Sequence, residues 1–370
     1  MTGFKVVPKI ELYTDFDEFV RMIGLSDRDL ILTDRCFVNM LSSRALPCRI
    51  LAQDDFGPGE PSCSKITAIL AEAQKSEYNR VIAIGGGTAI DISKILALDS
   101  VTDLTDLFTG KIPVRRTRKL VIVPTTCGTG SEVTNISIVA FEQLGTKMGL
   151  ANDALYADIA ALVPEFLKTL PYRVFVFSSV DALIHAIESY LSPKANVITR
   201  FFSVKAIQMI LSGYLQLQQK GNESRSEIIG DFLLASTYAG IAFSNAGCGL
   251  VHAMSYPLSG EYHLAHGEAN HQLLLAVLKY YEERKFNEDF DNLYRVFAGV
   301  FGCDESEAGE KFSALIRSLI DRKPLSTYGA DAGKVRAFAE QVIKTQQRLL
   351  ANAYVAADVD AMTSIYQELI

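Results

Sequence analysis

The stretch RVIAIGGGTAIDISKILAL, residues 80–98, constrains the fold more than any other. Val81–Ile84 reads as a buried strand, Gly85–Gly87 as a turn, and Thr88 onward as a helix. A strand that is apolar on both faces needs cover on both sides, and the helix it leads into supplies one of them. The same alternation recurs around it. Asp29–Asp34 and Cys48–Gln53 read as strands. Ser62–Tyr78 reads as a helix, with Ile66, Ile69, Leu70 and Ala73 on one face. Lys119–Pro124 is a fourth strand, and Asn135–Ala151 alternates loosely, as in a β-hairpin around Gln143–Gly145. The expected fold is an α/β domain with a mostly parallel, doubly wound sheet.

From about Pro164 the pattern changes to helices alone: Val180–Leu191, Thr199–Gln219, Glu227–Ser244, Asn270–Arg284, Phe286–Phe301, Ser306–Arg322 and Lys334–Asn352. With 370 residues there is room for two domains. We place a dinucleotide-binding α/β domain at 1–171 and an all-helical metal-binding domain at 172–370. A net charge of −7 without a long basic run disfavours nucleic acid and anionic membranes as partners. RRTRK at Arg115–Lys119 reads as a solvated surface turn. The six cysteines are scattered without a C-x-x-C, which argues for reduced thiols and a cytoplasmic location. The N-terminus lacks the apolar core of a signal peptide, and no apolar run approaches the roughly 20 residues of a membrane span.

Chemistry concentrates in a few places. Gly85-Gly86-Gly87-Thr88 opens a helix, where free N–H groups and the dipole favour a phosphate. It is neither a G-x-G-x-x-G fingerprint, since position 90 is Ile, nor a Walker loop, and a tight structural turn is the alternative. The loop Pro124–Glu132, PTTCGTGSE, offers hydroxyls and N–H groups for a diphosphate and nicotinamide pocket. Asp34, at a strand end, suits an adenosine ribose hydroxyl or simply a turn. In the second half, 245–270 holds His252, His263 and His266, three of only five histidines. A fourth, His185, follows Asp181 by four residues, so both face one side of a helix, about 5–6 Å apart. His252 and His266 join them only if Pro257–Gly260 turns the chain back. One carboxylate and three imidazoles suit a divalent metal with a position left open.

Taken together, GGGTAID, PTTCGTGSEVTN, VDALIHAIE, GLVHAMSYPL and HGEAN make the chain resemble the iron-containing alcohol dehydrogenases along essentially its whole length. LPYRVFVFSSVDALIHAIESYLSP, AGIAFSNAGCGLVHAMSYPLSGEYH, DESEA and DRKPLSTYG are most similar to the branch acting on 4-hydroxybutyrate and succinate semialdehyde. The resemblance implies that Asp181, His185, His252 and His266 ligate a divalent metal, iron (Fe2+) first and zinc (Zn2+) second. It also implies that Gly86, Gly87 and Thr88 hold the diphosphate of NAD. Thr125, Thr126, Thr134 and Lys147 would line the nicotinamide and ribose, and Asp34 would favour NAD over NADP. A homodimer or larger homo-oligomer is expected.

In one place the chain departs from the family. Relatives often carry a further histidine four residues after the ligand matching His252, where this chain has Tyr256. The proton-relay role then passes to Tyr256, His263, His271 or the cofactor ribose with water; His266 and Tyr256 are the catalytic candidates. The expected reaction is hydride transfer between NAD and a metal-polarised alcohol or aldehyde, in a cleft between the domains. A lyase on the same fold would need more basic residues for a phosphorylated substrate. A non-catalytic nucleotide-binding protein would have no use for all four metal-type residues.

Overall fold

The computed structural model describes residues 3–99, 101–285 and 287–370. The chain divides into two compact units: Val6–Thr169, and Leu170–Ile370 with the N-terminal residues through Lys5.

The first unit is built on a six-stranded parallel sheet. Its strands are β1 (Lys9–Leu12), β2 (Asp29–Thr33), β3 (Arg49–Ala52), β4 (Arg80–Gly85), β5 (Lys119–Pro124) and β8 (Ile159–Leu162), in the order β1-β8-β5-β4-β2-β3. β6 (Ile136–Phe141) and β7 (Thr146–Ala151) form the expected antiparallel hairpin. Helices α1 (Phe16–Ile23), α2 (Val38–Ser42), α3 (Cys63–Ala73), α4 (Gly87–Leu96) and α5 (Leu104–Phe108) complete it. β2 is buried at every position, as a central parallel strand must be. The α3 face predicted from Ile66, Ile69, Leu70 and Ala73 is buried, although the helix stops at Ala73 rather than Tyr78. Two strands had no sequence expectation, β1 and β8; they pair with each other in parallel. From β2 the chain runs outward to β3 on one side and to β4 on the other, so a topological switch point lies between β2 and β4. Ligands of open α/β sheets bind outside the carboxyl ends of the strands at such a point. RRTRK is more than a solvated turn: Arg116 reaches the Tyr156 carbonyl, and Arg118 stacks on Tyr78 and donates to the Leu98 carbonyl.

The second unit is helical throughout: α6 (Tyr172–Leu191), α7 (Val197–Lys220), α8 (Arg225–Ala246), α9 (Leu250–Tyr262), α10 (His266–Arg284), α11 (Asp289–Phe301), α12 (Glu305–Leu319), α13 (Ala332–Thr345), α14 (Gln347–Leu350) and α15 (Val359–Gln367). The expected start of α11 at Phe286 lies outside the described residues. Two helices, α9 and α15, were not anticipated, and α9 corrects a specific expectation. Pro257 and Gly260 lie inside α9 and do not reverse the chain. The reversal falls just after it, at His263, whose φ of 53° is left-handed, and α10 begins three residues later. α6 corrects another. It is long and apolar enough to pass for a membrane span by composition, but 89% of that window is buried inside the protein. Every residue from Ser179 to Leu191 is buried.

Candidate functional site

In the first unit, the turn after β4 and the loop after β5 leave neighbouring strands, with Gly85 in register with Pro124. The amide of Thr125 donates to the Gly85 carbonyl at 3.1 Å. Small residues let the two loops touch: a Cβ added to Gly87 would lie 3.1 Å from the Thr129 methyl, and one on Gly86 3.6 Å from that of Thr126. Gly85 is more constrained still, since its Cβ would meet the Ala89 Cβ at 2.5 Å and Asp34 Oδ2 at 2.9 Å. Helices α1, α3 and α5 are capped by Asp15, Ser62 and Asp103 side chains. The N-terminus of α4 has no side-chain cap. Its first-turn amides and positive dipole end therefore suit an anionic group, and Gly86, Gly87 and Thr88 are half-buried there.

Asp34 closes the same crevice from the end of β2. Its Oδ2 accepts from the Gly86 amide at 3.1 Å and its Oδ1 from Gln53 Nε2 at 3.0 Å. Burial pushes the Asp34 carboxyl up, against the pull of those two hydrogen bonds. The structure thus brings Asp34, Gly86, Gly87, Thr88, Thr125 and Thr126 to the carboxyl edge of β2, β4 and β5. Thr134 and Lys147 are engaged elsewhere. Thr134 is buried and accepts from Lys94 Nζ at 3.1 Å, while Lys147 on β7 is ion-paired with Glu60. Lys94 was not singled out by sequence. It is fully buried and also donates to Ser131 Oγ at 2.7 Å and the Ile136 carbonyl at 2.6 Å. Asp91, one turn earlier, accepts from Ser131 Oγ and the Ile138 amide. This pair ties the loop after β5 to α4.

In the helical unit, Asp181 and His185 come from α6, His252 from α9 and His266 from the first position of α10. Their ligand atoms all lie within 4.8 Å of one another. Asp181 Oδ1 is 3.6 Å from His252 Nε2 and 3.8 Å from His266 Nε2. The His185 ring lies flat between Phe243 at 4.2 Å and His252 at 4.6 Å. Asp181, His185 and His252 are buried; His266, 40% exposed, is the open side. Burial alone would raise the Asp181 carboxyl, but His185, His266 and His252 hold it well below the usual range. Burial would lower the His252 imidazole, but Asp181 and Glu188 hold it at about 9. The pocket therefore attracts positive charge, whether a proton or a cation. His252 Nε2 is buried and makes no hydrogen bond. One carboxylate, three imidazoles and an orphaned buried nitrogen fit a divalent metal.

Two residues that support this group escaped the sequence reading. Glu188, three residues after His185 on the same face of α6, accepts from His252 Nδ1 at 2.6 Å. Asn270, four residues after His266, donates to Asp181 Oδ1 at 2.7 Å and lies 3.2 Å from His266 Nε2. Their helical spacings from known candidates were the available signal. Glu188, Cys248 and His252 also cluster. Burial first, then Glu188 and Asp181, pushes the Cys248 thiol well up, so it stays protonated and is a poor ligand.

The proton-relay candidates separate clearly. Tyr256, half-buried, is 6.4 Å from the His266 ring, centroid to centroid. His263 is exposed at the end of α9. His271 lines a different cavity of about 910 Å³ beside Gln272, Arg317 and Arg322, which none of the four metal-type residues lines. Burial pushes its imidazole down to about 4; Arg322 adds to this and the Ile316 carbonyl opposes it. Its folded value lies below the unfolded one, so its stabilising effect is full above about pH 6.5 and lost as pH falls toward about 4. The expected loss is at most about 3 kcal/mol. Urea unfolding of the parent and of H271Q across that window checks it: the parent should lose more stability than the variant.

The description of iron-containing alcohol dehydrogenases matches residues 12–164, and that of the family's C-terminal domain matches 175–370. The 4-hydroxybutyrate dehydrogenase of Clostridium kluyveri is 46% identical over 373 residues, covering 100% of both chains. Among solved structures, the sulfoacetaldehyde reductase of Bifidobacterium kashiwanohense in complex with NAD+ superposes with a TM-score of 0.86 at 21% identity, covering 100% of this chain and 98% of that one. A 1,3-propanediol oxidoreductase gives 0.85 at 23%, with 100% of both chains covered. The last two establish the fold. The matches spanning both units, with the full-length identity, establish more: this chain is an alcohol dehydrogenase and belongs to the iron-containing alcohol dehydrogenase family.

Proposed function

We propose that the protein interconverts 4-hydroxybutyrate and succinate semialdehyde, with NAD as hydride carrier and a divalent metal, ferrous iron ahead of zinc, held by Asp181, His185, His252 and His266. The observation that carries this reading is the convergence of those four side chains in a chain 46% identical, end to end, to a 4-hydroxybutyrate dehydrogenase. The bound metal supplies Lewis-acid polarisation of the substrate oxygen, and NAD accepts or donates the hydride.

The chain's own residues do the rest. Asp181 supplies the negative charge that holds the cation among three neutral imidazoles. His266, on the open side, borders the position left for substrate, and Tyr256 beside it exchanges the proton with solvent. The uncapped N-terminus of α4, with Gly86, Gly87 and Thr88, takes the diphosphate. Thr125 and Thr126 face the nicotinamide half, while Thr134 and Lys147 would line the ribose only by giving up Lys94 and Glu60, the partners they hold here. Asp34 accepts from the adenosine ribose and repels a 2′-phosphate. D34S is therefore expected to raise the NADPH-to-NADH ratio of kcat/KM by about tenfold, roughly 1.4 kcal/mol of repulsion removed. Steady-state kinetics with both cofactors would show it, and an unchanged ratio would remove Asp34 from cofactor selection.

The six free cysteines suit a reducing cytoplasm, and a homodimer or larger homo-oligomer is the proposed assembly. The decisive assay is NADH oxidation by protein reconstituted anaerobically with ferrous iron. Succinate semialdehyde is compared with propionaldehyde, lactaldehyde and dihydroxyacetone. A strong preference for the semialdehyde supports the proposal. A flat profile makes the protein a broader primary alcohol or diol dehydrogenase or aldehyde reductase of the same family.

A further inference from the structure

We propose that Glu188 is the positioning residue of the metal centre, fixing His252 in the tautomer whose Nε2 lone pair faces Asp181. The inference rests on the metal reading above. Glu188 is 4% exposed, and its carboxylate receives three donors. Oε2 takes His252 Nδ1 at 2.6 Å and the Gly249 amide at 2.9 Å, and Oε1 takes the Val251 amide at 2.6 Å. Gly249 is the N-cap of α9 and has no side chain to cap it. Glu188 reaches across from α6 and performs that task, placing a negative charge at the positive end of the helix.

A carboxylate accepts and does not donate, so the hydrogen between it and His252 sits on Nδ1. In the neutral ring, the form that binds a cation, Nε2 is then the unprotonated nitrogen. It is also the buried atom without a hydrogen-bond partner, 3.6 Å from Asp181 Oδ1. One side chain thus fixes the helix start, the ring orientation and the tautomer of the same histidine, and makes that histidine a stronger base toward a cation. A glycine at 249 keeps the approach open, since a Cβ there would stand 3.4 Å from Glu188 Oε1 and 3.3 Å from the backbone of Asn352 and Ala353.

The test is Zn2+ titration, read by competition with a chromogenic chelator, on the parent, E188Q and H266A. The parent should bind one ion tightly per chain. E188Q should bind about 10- to 100-fold more weakly, with NADH affinity unchanged. A parent that binds no ion overturns the metal reading itself. A parent that binds tightly and loses the ion in H266A, beside an E188Q variant with parental affinity, overturns the role of Glu188 alone. If E188Q does not fold, the Zn2+-loaded parent labelled with 15N-histidine decides. The His252 resonances should show a protonated Nδ1 strongly hydrogen-bonded; a protonated Nε2 overturns the proposal.

Discussion

Replacing His266 with alanine is expected to lower kcat/KM by about a thousandfold while leaving NADH binding within about twofold of the parent. The size follows from losing a metal ligand, worth on the order of 4 kcal/mol of transition-state stabilisation. The selectivity follows from the structure. His266 is the first residue of α10 and the most exposed of the four, so its removal leaves neither a large buried cavity nor an unpaired buried charge. Asp181 keeps its hydrogen bond from Asn270 and its contact with His252. The NAD-binding candidates belong to the other unit and keep their own cores. Metal analysis of the purified variant beside a fluorescence titration with NADH checks both halves. A variant with parental turnover and metal content would show that the ligand set has been assigned wrongly.

Gly267→Ala is expected to be nearly as damaging, although glycine 267 bears no chemistry. A Cβ there would lie 2.3 Å from the Phe177 carbonyl oxygen and 2.8 Å from its carbon. Those are backbone atoms of α6 and cannot swing away as the end of a flexible side chain can. The first turn of α10 must therefore move off α6, carrying His266 away from Asp181. Overpacking of this kind costs about 1–3 kcal/mol. A shift of roughly 1 Å at a catalytic group is enough for about a hundredfold loss of turnover. The expected result is a melting temperature several degrees lower, weaker metal retention and a much reduced kcat. Parental values in all three would mean that the contact does not set the position of His266.

The sequence exposes the parts of this molecule that follow local rules. β2, β3, β4 and β5 were readable as apolar runs ending in turn residues, and the β6–β7 hairpin as a loose alternation around Gln143–Gly145. β1 (KIEL) and β8 (IAAL) are four residues long and carry no strong strand pattern, so only their pairing in the sheet defines them. α9 was hidden because Pro257 and Gly260 are the usual marks of a turn, and burial against neighbouring helices overrode them. At the site, Asp181 and His185 are visible as a helical pair. Placing His252 and His266 beside them needed the resemblance, because nothing local says where the chain reverses. Glu188, Asn270 and Gly267 stayed out of sight for a different reason. Each acts through a contact with a distant segment, and identity alone gives no hint of the partner. Lys94 and Asp91 belong with them: a Lys–Asp pair on a helix looks like a solvated face until the loop from Ser131 to Ile138 closes over it.

The burial of α6 carries one more consequence. Its composition is that of a bilayer-crossing segment, with a mean hydropathy of 1.4 over the qualifying window. Two carboxylates, Asp181 and Glu188, interrupt it between Val174 and Leu191, together with His185, Tyr190 and three serines. An acidic residue at the middle of such a segment costs about 2.5–3.5 kcal/mol on the scale by which the insertion machinery sorts nascent helices. The acidic side chains proposed for the metal site therefore also make this apolar segment a poor bilayer helix. A variant in which Asp181 and Glu188 are both replaced by leucine would lose both carboxylates from the pocket and leave α6 without a charge between Val174 and Leu191 to oppose its entry into a bilayer.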